Sequence, residues 1–287
     1  TLSSMLLDPL LRNRYERRLR NLLDLAGKEI ARTRARPALN RLARMYQERL
    51  ERVSDAYFNR YRKDLVRAFG NLQDLGKVEI IASAATHGYL PMLSVNPAAV
   101  RALVWVGVEH SRRLFGQRPR GLGLPECASF PGVDNLLEEQ GIRYTILEAI
   151  GITRACPRPG NGVYAPVYCP SGVAAFGRDP ESSKQVWSSV EGYPGDYDYR
   201  EFYRDIGYDL DLDYIGPHVH RDGIRIDTGF KYYRVTGKGG HKALYVPKRA
   251  VEKAKTHAED FVANREAQIS HLGPLMDRKP VIVAPFD

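Results

Sequence analysis

Cysteine is scarce: the chain has three, Cys127, Cys156 and Cys169. They are odd in number and widely spaced, which excludes a disulfide framework and a paired CxxC metal site and leaves reduced thiols. Long hydrophobic runs are missing as well. No stretch reaches the roughly 18 apolar residues of a membrane span, and the first residues, TLSSMLLDPLLRNRYERRL, carry mixed charge too early for a signal peptide. Membrane insertion and secretion are therefore not expected, and the cytoplasm is. An acidic surplus is lacking too, since 43 Lys and Arg face 34 Asp and Glu for a net charge of +9.

The basic excess sits at one end. Residues 1–75 hold 17 Lys and Arg against 9 Asp and Glu, and the rest of the chain is close to balance. Within 39–65, Leu39, Leu42, Tyr46, Leu50, Val53, Tyr57, Tyr61 and Leu65 recur at steps of three and four, which predicts one amphipathic helix with Arg and Glu on its other faces. An earlier stripe runs from Leu7 through Leu11, Tyr15, Leu19 and Leu22 to Leu23. The tyrosines share the apolar stripe and acids lie among the arginines, so the basic character reads as a solvated helix face and not as a nucleic-acid interface. With 43% hydrophobic residues over 287 positions, the chain can bury a substantial core.

The texture changes after residue 75. GKVEIIASAATHGYLPML (76–93) opens at a glycine turn, passes through β-prone Val78–Ile81 and delivers His87 at a strand end. A helical stretch from Pro97 to Phe115 leads to a second strand ending in GLGLPECAS (121–129), then VDNLLEEQ and a third strand in GIRYTILEAI (141–150). Alternating strand and helix is the pattern of parallel βαβ units, whose chemistry gathers at strand C-termini. Glu126 and His87 both fall there. Residues 151–225 are rich in Gly, Pro, Asp and Tyr, which predicts an ordered but loop-rich insertion whose aromatics suit either sugar rings or a small core. DGIRIDTGFKYYRVTG reads as strand, Lys248–Leu272 as a long helix, and KPVIVAPFD as an apolar strand ending on Asp287, a chain that reads as cut at its last residue. His218, His220 and Asp222 form an H-x-H-x-D in a Gly/Pro loop and read as plain surface; no metal is expected.

These segments resemble glycoside hydrolase family 57, in its α-1,4-glucan branching type. GKVEIIASAATHGYLPML is similar to the family's second conserved region, GLGLPECAS to its nucleophile region and VAPFD to the start of its acid/base region; GVAAFGRDPESSKQVWSS, EGYPGDYDYREFYRDIGYDLDLDYI and GIRIDTGFKYYRVTG are also similar to branching-type members. The resemblance implies an α/β fold, an incomplete (β/α)7 barrel of parallel strands with helical segments and a loop-rich insertion. It divides the chain into 1–75 (helical segment), 76–150 (strands and helices with the nucleophile), 151–225 (insertion) and 226–287 (return to the acid/base strand). It implies Glu126 as nucleophile, Asp287 as acid/base, and His87, Trp187 and Tyr208 as substrate contacts, with no cofactor and an α-glucan such as amylose or glycogen as partner. The implied reaction is retaining transfer of a glucan segment to a 6-hydroxyl; an α-amylase, a 4-α-glucanotransferase and a catalytically silent glucan-binding remnant are the alternatives. The chain departs from the family pattern at Gly123, where a Trp is usual, at Ser129, where an aromatic is usual, and at Glu148 and Ile150, where Asp and His are usual. The family's first strand, with a His-x-His pair, would precede residue 1.

Overall fold

The computed structural model describes residues 2–220, 222–237 and 242–286. They form two units: a helical unit of Leu2–Leu65 and Trp187–Ala258, and a sheet unit of Val66–Val186 with the segment from Glu259 on.

The helical unit is built on two long helices, α1 (Pro9–Arg32) and α2 (Pro37–Asp55). Each starts with proline in its first turn, where the missing N–H costs nothing, and Asp8 caps α1 by accepting the Leu11 N–H at 2.8 Å. Leu25 and Ala26 of α1 meet Leu42, Ala43 and Tyr46 of α2 in a core completed by Ile206, Ile215, Phe230 and Tyr232. The single helix expected over 39–65 is interrupted. A π-helical turn covers Ala56–Arg60, and Arg62 and Lys63 then adopt left-handed backbone that no helix continues through. Where 222–237 reads as strand, the described residues make only isolated bridges, Arg200 with Arg234 and Tyr233 with Leu244.

One side-chain cluster fixes this unit. Glu29 is fully buried, and its carboxylate accepts from Arg32 Nε (2.7 Å) and Nη2 (2.6 Å), Tyr214 Oη (2.8 Å) and Tyr232 Oη (2.7 Å). His218 corrects the surface reading of the H-x-H-x-D loop, because it is 2% exposed. Its Nδ1 lies 2.6 Å from Asn21 Oδ1 and its Nε2 3.1 Å from Lys28 Nζ, while Arg18 and Asn21 donate to the His218 and Pro217 carbonyls. His220 and Asp222 are exposed, as expected.

In the sheet unit, α3 (Leu65–Asp74, its first residue counted with the helical unit) precedes β1 (Ala82–Ser83), α4 (Pro97–Phe115), β2 (Gly121–Gly123), α5 (Val133–Glu138), β3 (Tyr144–Leu147), α6 (Ala149–Thr153), β4 (Val167–Tyr168), β5 (Ala174–Gly177) and α7 (Pro180–Trp187, its last residue likewise). The sheet order is β1-β2-β3-β5-β4, with β1, β2, β3 and β5 parallel and β4 an antiparallel edge. This is the α/β class with a mostly parallel sheet that the sequence predicts. Buried Val100, Val104 and Val108 of α4 share the core with Leu122 of β2 and Ala175 of β5. Pairing in β1 is shorter than the β-prone run suggests, since Val78–Ile81 precede the paired residues. α8 (Pro247–Leu272) belongs to the helical unit through Ala258 and to the sheet unit thereafter. Beyond it the VIV segment is no full strand, yet Val283 bridges Arg178 in parallel and accepts the Asp179 N–H at 2.8 Å. Asp179, fully buried, also accepts from Ser182 N–H at 2.7 Å and from Gln268 Nε2 at 3.1 Å, tying α7 to the far part of α8.

Candidate active site

Parallel register sets the C-terminal ends of β1, β2, β3 and β5 along one edge, and the residues after them are chemically distinctive: His87, Glu126, Glu148 and Arg178.

The first two are presented in the same manner. After β1 the chain makes a 3-10 turn, Ala85–His87, with Thr86 and His87 left-handed at φ 60° and 57°. After β2 it makes a second one, Pro125–Cys127, with Glu126 and Cys127 left-handed at φ 57° and 53°. Leu124 is extended (φ −69°, ψ 137°), as its place before proline demands. Left-handed backbone costs a non-glycine residue about 1 to 2 kcal/mol, so two adjacent pairs persist only where the surroundings impose them, a feature that gathers at working sites. Close packing supplies part of that imposition. Gly107 of α4 lies so near β1 that a Cβ there would meet the Ser83 carbonyl oxygen at 2.1 Å, which lets the helix run against the strand just before the His87 turn.

The two turns bring His87 Nε2 to 3.7 Å from Glu126 Oε1. The side chains stay open to solvent, at 55% and 74% of their full exposure. At that distance the imidazole and carboxylate are neighbours and not a strong hydrogen-bonded pair, so each is free to address a ligand. Cys127, half-buried, faces the next strand: its carbonyl accepts the Glu148 N–H at 2.9 Å. Glu148 caps α6 by accepting the Ala149 N–H at 3.1 Å and pairs with Arg178 Nη1 at 3.4 Å, and Arg178 Nε donates to Ser183 Oγ at 2.8 Å.

Of the residues predicted from the sequence, Glu126 and His87 are thus brought together. Trp187 and Tyr208 belong to the helical unit, each about half exposed (46% and 49%). Asp287 lies outside the described residues. Arg178 was missed, although GRDPESS directly after the apolar AAFG marks it as a strand-end residue. Among the described residues no group of His, Cys, Asp and Glu is placed to hold a metal ion, and no helix is long and apolar enough to cross a membrane.

The 1,4-alpha-glucan branching enzyme of Thermococcus kodakarensis is 34% identical over 263 residues, covering 80% of this chain and 36% of that protein. The crystal structure of the alpha-amylase AmyC from Thermotoga maritima superposes with a TM-score of 0.92 at 40% identity, over 99% of this chain and 55% of that one. The GH57-type branching enzyme from Pyrococcus horikoshii gives a TM-score of 0.80 at 28% identity, over 99% of this chain and 51% of that one. The chain therefore spans little more than a third of the curated relative and about half of each solved one. The family model for glycosyl hydrolase family 57 matches residues 4–267, and the chain belongs to that family.

Proposed function

We propose that the chain carries both catalytic carboxylates, Glu126 and Asp287, of a 1,4-α-glucan branching enzyme, a retaining transferase that moves an α-1,4-glucan segment to a 6-hydroxyl in cytoplasmic glycogen synthesis. The observation that carries this reading is the exposed Glu126 carboxylate beside His87 on adjacent parallel strand ends. In the first step Asp287, as acid, gives its proton to the glycosidic oxygen while Glu126 attacks the anomeric carbon; the C–O bond breaks, the shortened glucan leaves with its 4-hydroxyl, and a covalent glycosyl-enzyme remains. In the second step Asp287 takes the proton of a glucan 6-hydroxyl, whose oxygen displaces Glu126. Such a double displacement places the two carboxyls about 5 to 5.5 Å apart. His87 contacts the sugar beside Glu126; Trp187 and Tyr208 each expose a ring face on which the C–H side of a glucose unit can stack. The likeness to branching enzymes at 34% and 28% identity supports the transferase.

An α-amylase, in which water takes the place of the 6-hydroxyl, is the second reading, favoured by the TM-score of 0.92 with AmyC. The two separate in one assay on amylose. A transferase lowers iodine staining without new reducing ends, and debranching then releases short chains; an amylase creates reducing ends in step with the loss of stain. Glu126→Gln tests the chemistry under both readings: with an activated glucosyl fluoride it should abolish the covalent sugar adduct, and a labelled intermediate that survives the change moves the nucleophile elsewhere.

A further inference from the structure

The left-handed turn that presents Glu126 needs an external hold. Inside the turn, Cys127 N–H reaches the Leu124 carbonyl at 2.9 Å and Ala128 N–H the Pro125 carbonyl at 3.2 Å. From outside comes the Glu148 N–H, donated to the Cys127 carbonyl at 2.9 Å across from β3. What fixes that N–H is the side chain of the same residue. Glu148 Oε1 caps α6 through Ala149 N–H, and Oε2 is held by Arg178, which is itself anchored by Ser183 Oγ and by its own N–H on the Leu147 carbonyl at 2.9 Å. The result is a short relay along the rim, from β5 through β3 to the residue next to Glu126.

We propose that Glu148 and Arg178 are positioning residues for Glu126: their ion pair across the ends of β3 and β5 holds the Glu148 N–H on the Cys127 carbonyl and so fixes the turn that aims the Glu126 carboxylate. The proposal rests on Glu126 being the nucleophile. Both partners are partly exposed, with side chains at 45% and 26%, so the pair contributes little to overall stability by itself. Its effect is geometric. A carboxylate displaced by about 1 Å loses on the order of 100-fold in rate.

The test uses the full-length protein and two variants, Glu148→Gln, which keeps an acceptor for the Ala149 N–H but removes the charge, and Arg178→Ala. Amide hydrogen exchange at residue 148 should accelerate in both. On amylose, turnover should fall by about tenfold or more with KM nearly unchanged, because an interaction that only aims the reacting group acts on the chemical step. The double variant should be no worse than the worse single one, since both changes break one device. Unchanged exchange at residue 148, additive losses, or a raised KM at constant turnover would each overturn the proposal, the last by making the pair a sugar-binding contact instead. A wild-type chain without glucan turnover would refute the enzymatic reading alone, and the exchange measurement would still decide whether the brace exists.

Discussion

Glu29 offers the sharpest quantitative test of the helical unit. Its two oxygens each take one Arg32 N–H and one tyrosine hydroxyl, at 2.6 to 2.8 Å, with the carboxylate wholly removed from solvent. Glu29→Gln keeps the shape and one acceptor oxygen, but sets an NH2 group against two donors. The affected tyrosine can rotate its hydroxyl and accept, whereas the guanidinium cannot, so one charged donor loses its partner. Hydrogen bonds to charged groups are worth about 1.5 to 3 kcal/mol, and breaking a buried ion pair costs about 3 to 5 kcal/mol. Arg32 keeps 26% side-chain exposure and recovers some hydration, which places the expected loss near 3 kcal/mol. Against a total stability of about 5 to 15 kcal/mol, this is a large fraction. At about 2 to 4 °C per kcal/mol, the melting temperature should fall by roughly 6 to 12 °C. Urea unfolding followed by circular dichroism measures the same quantity. A loss below about 1 kcal/mol would show that the network is not the anchor its geometry implies. Tyr232→Phe should lose more than Tyr214→Phe, because Tyr232 is 3% exposed and Tyr214 only half-buried.

Three further outcomes follow from the structure. Burial first, then the Lys28 ammonium, hold the His218 imidazole below its ordinary pKa despite the opposing pull of Asp24; the unfolded chain then binds the extra proton, so stability should be full above about pH 6.5 and decline as the pH falls below it, a slope in urea midpoints between pH 7.5 and 5 that His218→Gln flattens and that, if equally steep in the variant, refutes the assignment. At the alkaline end, burial and Glu29 raise the hydroxyls of Tyr214 and Tyr232 above the ordinary range, so their contribution should be full below about pH 10 and decline progressively as the pH rises beyond it towards the raised folded values; ultraviolet titration should show them ionising only together with unfolding, and free titration in the folded state would contradict this. Gly107→Ala should destabilise by about 1 to 3 kcal/mol despite alanine's better helix propensity, because the added Cβ meets the Ser83 carbonyl, and a higher melting temperature in the variant would argue against the close approach.

How much of this is legible in the residue order depends on the range of the cause. The βαβ alternation from Val78 to Leu147 is local, carried by apolar periodicity and glycine turns, and the strand ends at His87 and Glu126 could be located from it. Pro125 also announces the extended Leu124. The left-handed pairs could not be foreseen, because Thr86, Glu126 and Cys127 have no intrinsic preference for that backbone and His87 only a modest one, so packing puts them there. The long helix of 247–272 is a matter of its own periodicity, but the break after Asp55 depends on where the π turn shifts register. His218 looked like surface because a Gly/Pro loop is usually wet, whereas its burial is decided by Asn21 and Lys28, nearly two hundred positions away. Glu29 likewise reads as one more charge on a charged helix until Tyr214 and Tyr232 close over it.

The twin left-handed turns restrict what substitution can do at this edge of the sheet. At positions 86, 87, 126 and 127 the backbone favours Gly, Asn and Asp and penalises valine and isoleucine before any ligand is considered. A library randomised here would therefore be filtered twice, once by folding and once by chemistry. Thr86 stands out, as a β-branched residue at φ 60°. Its replacement by glycine or asparagine is open to a designer seeking stability, whereas the same freedom at Glu126 would be spent on the reacting group itself.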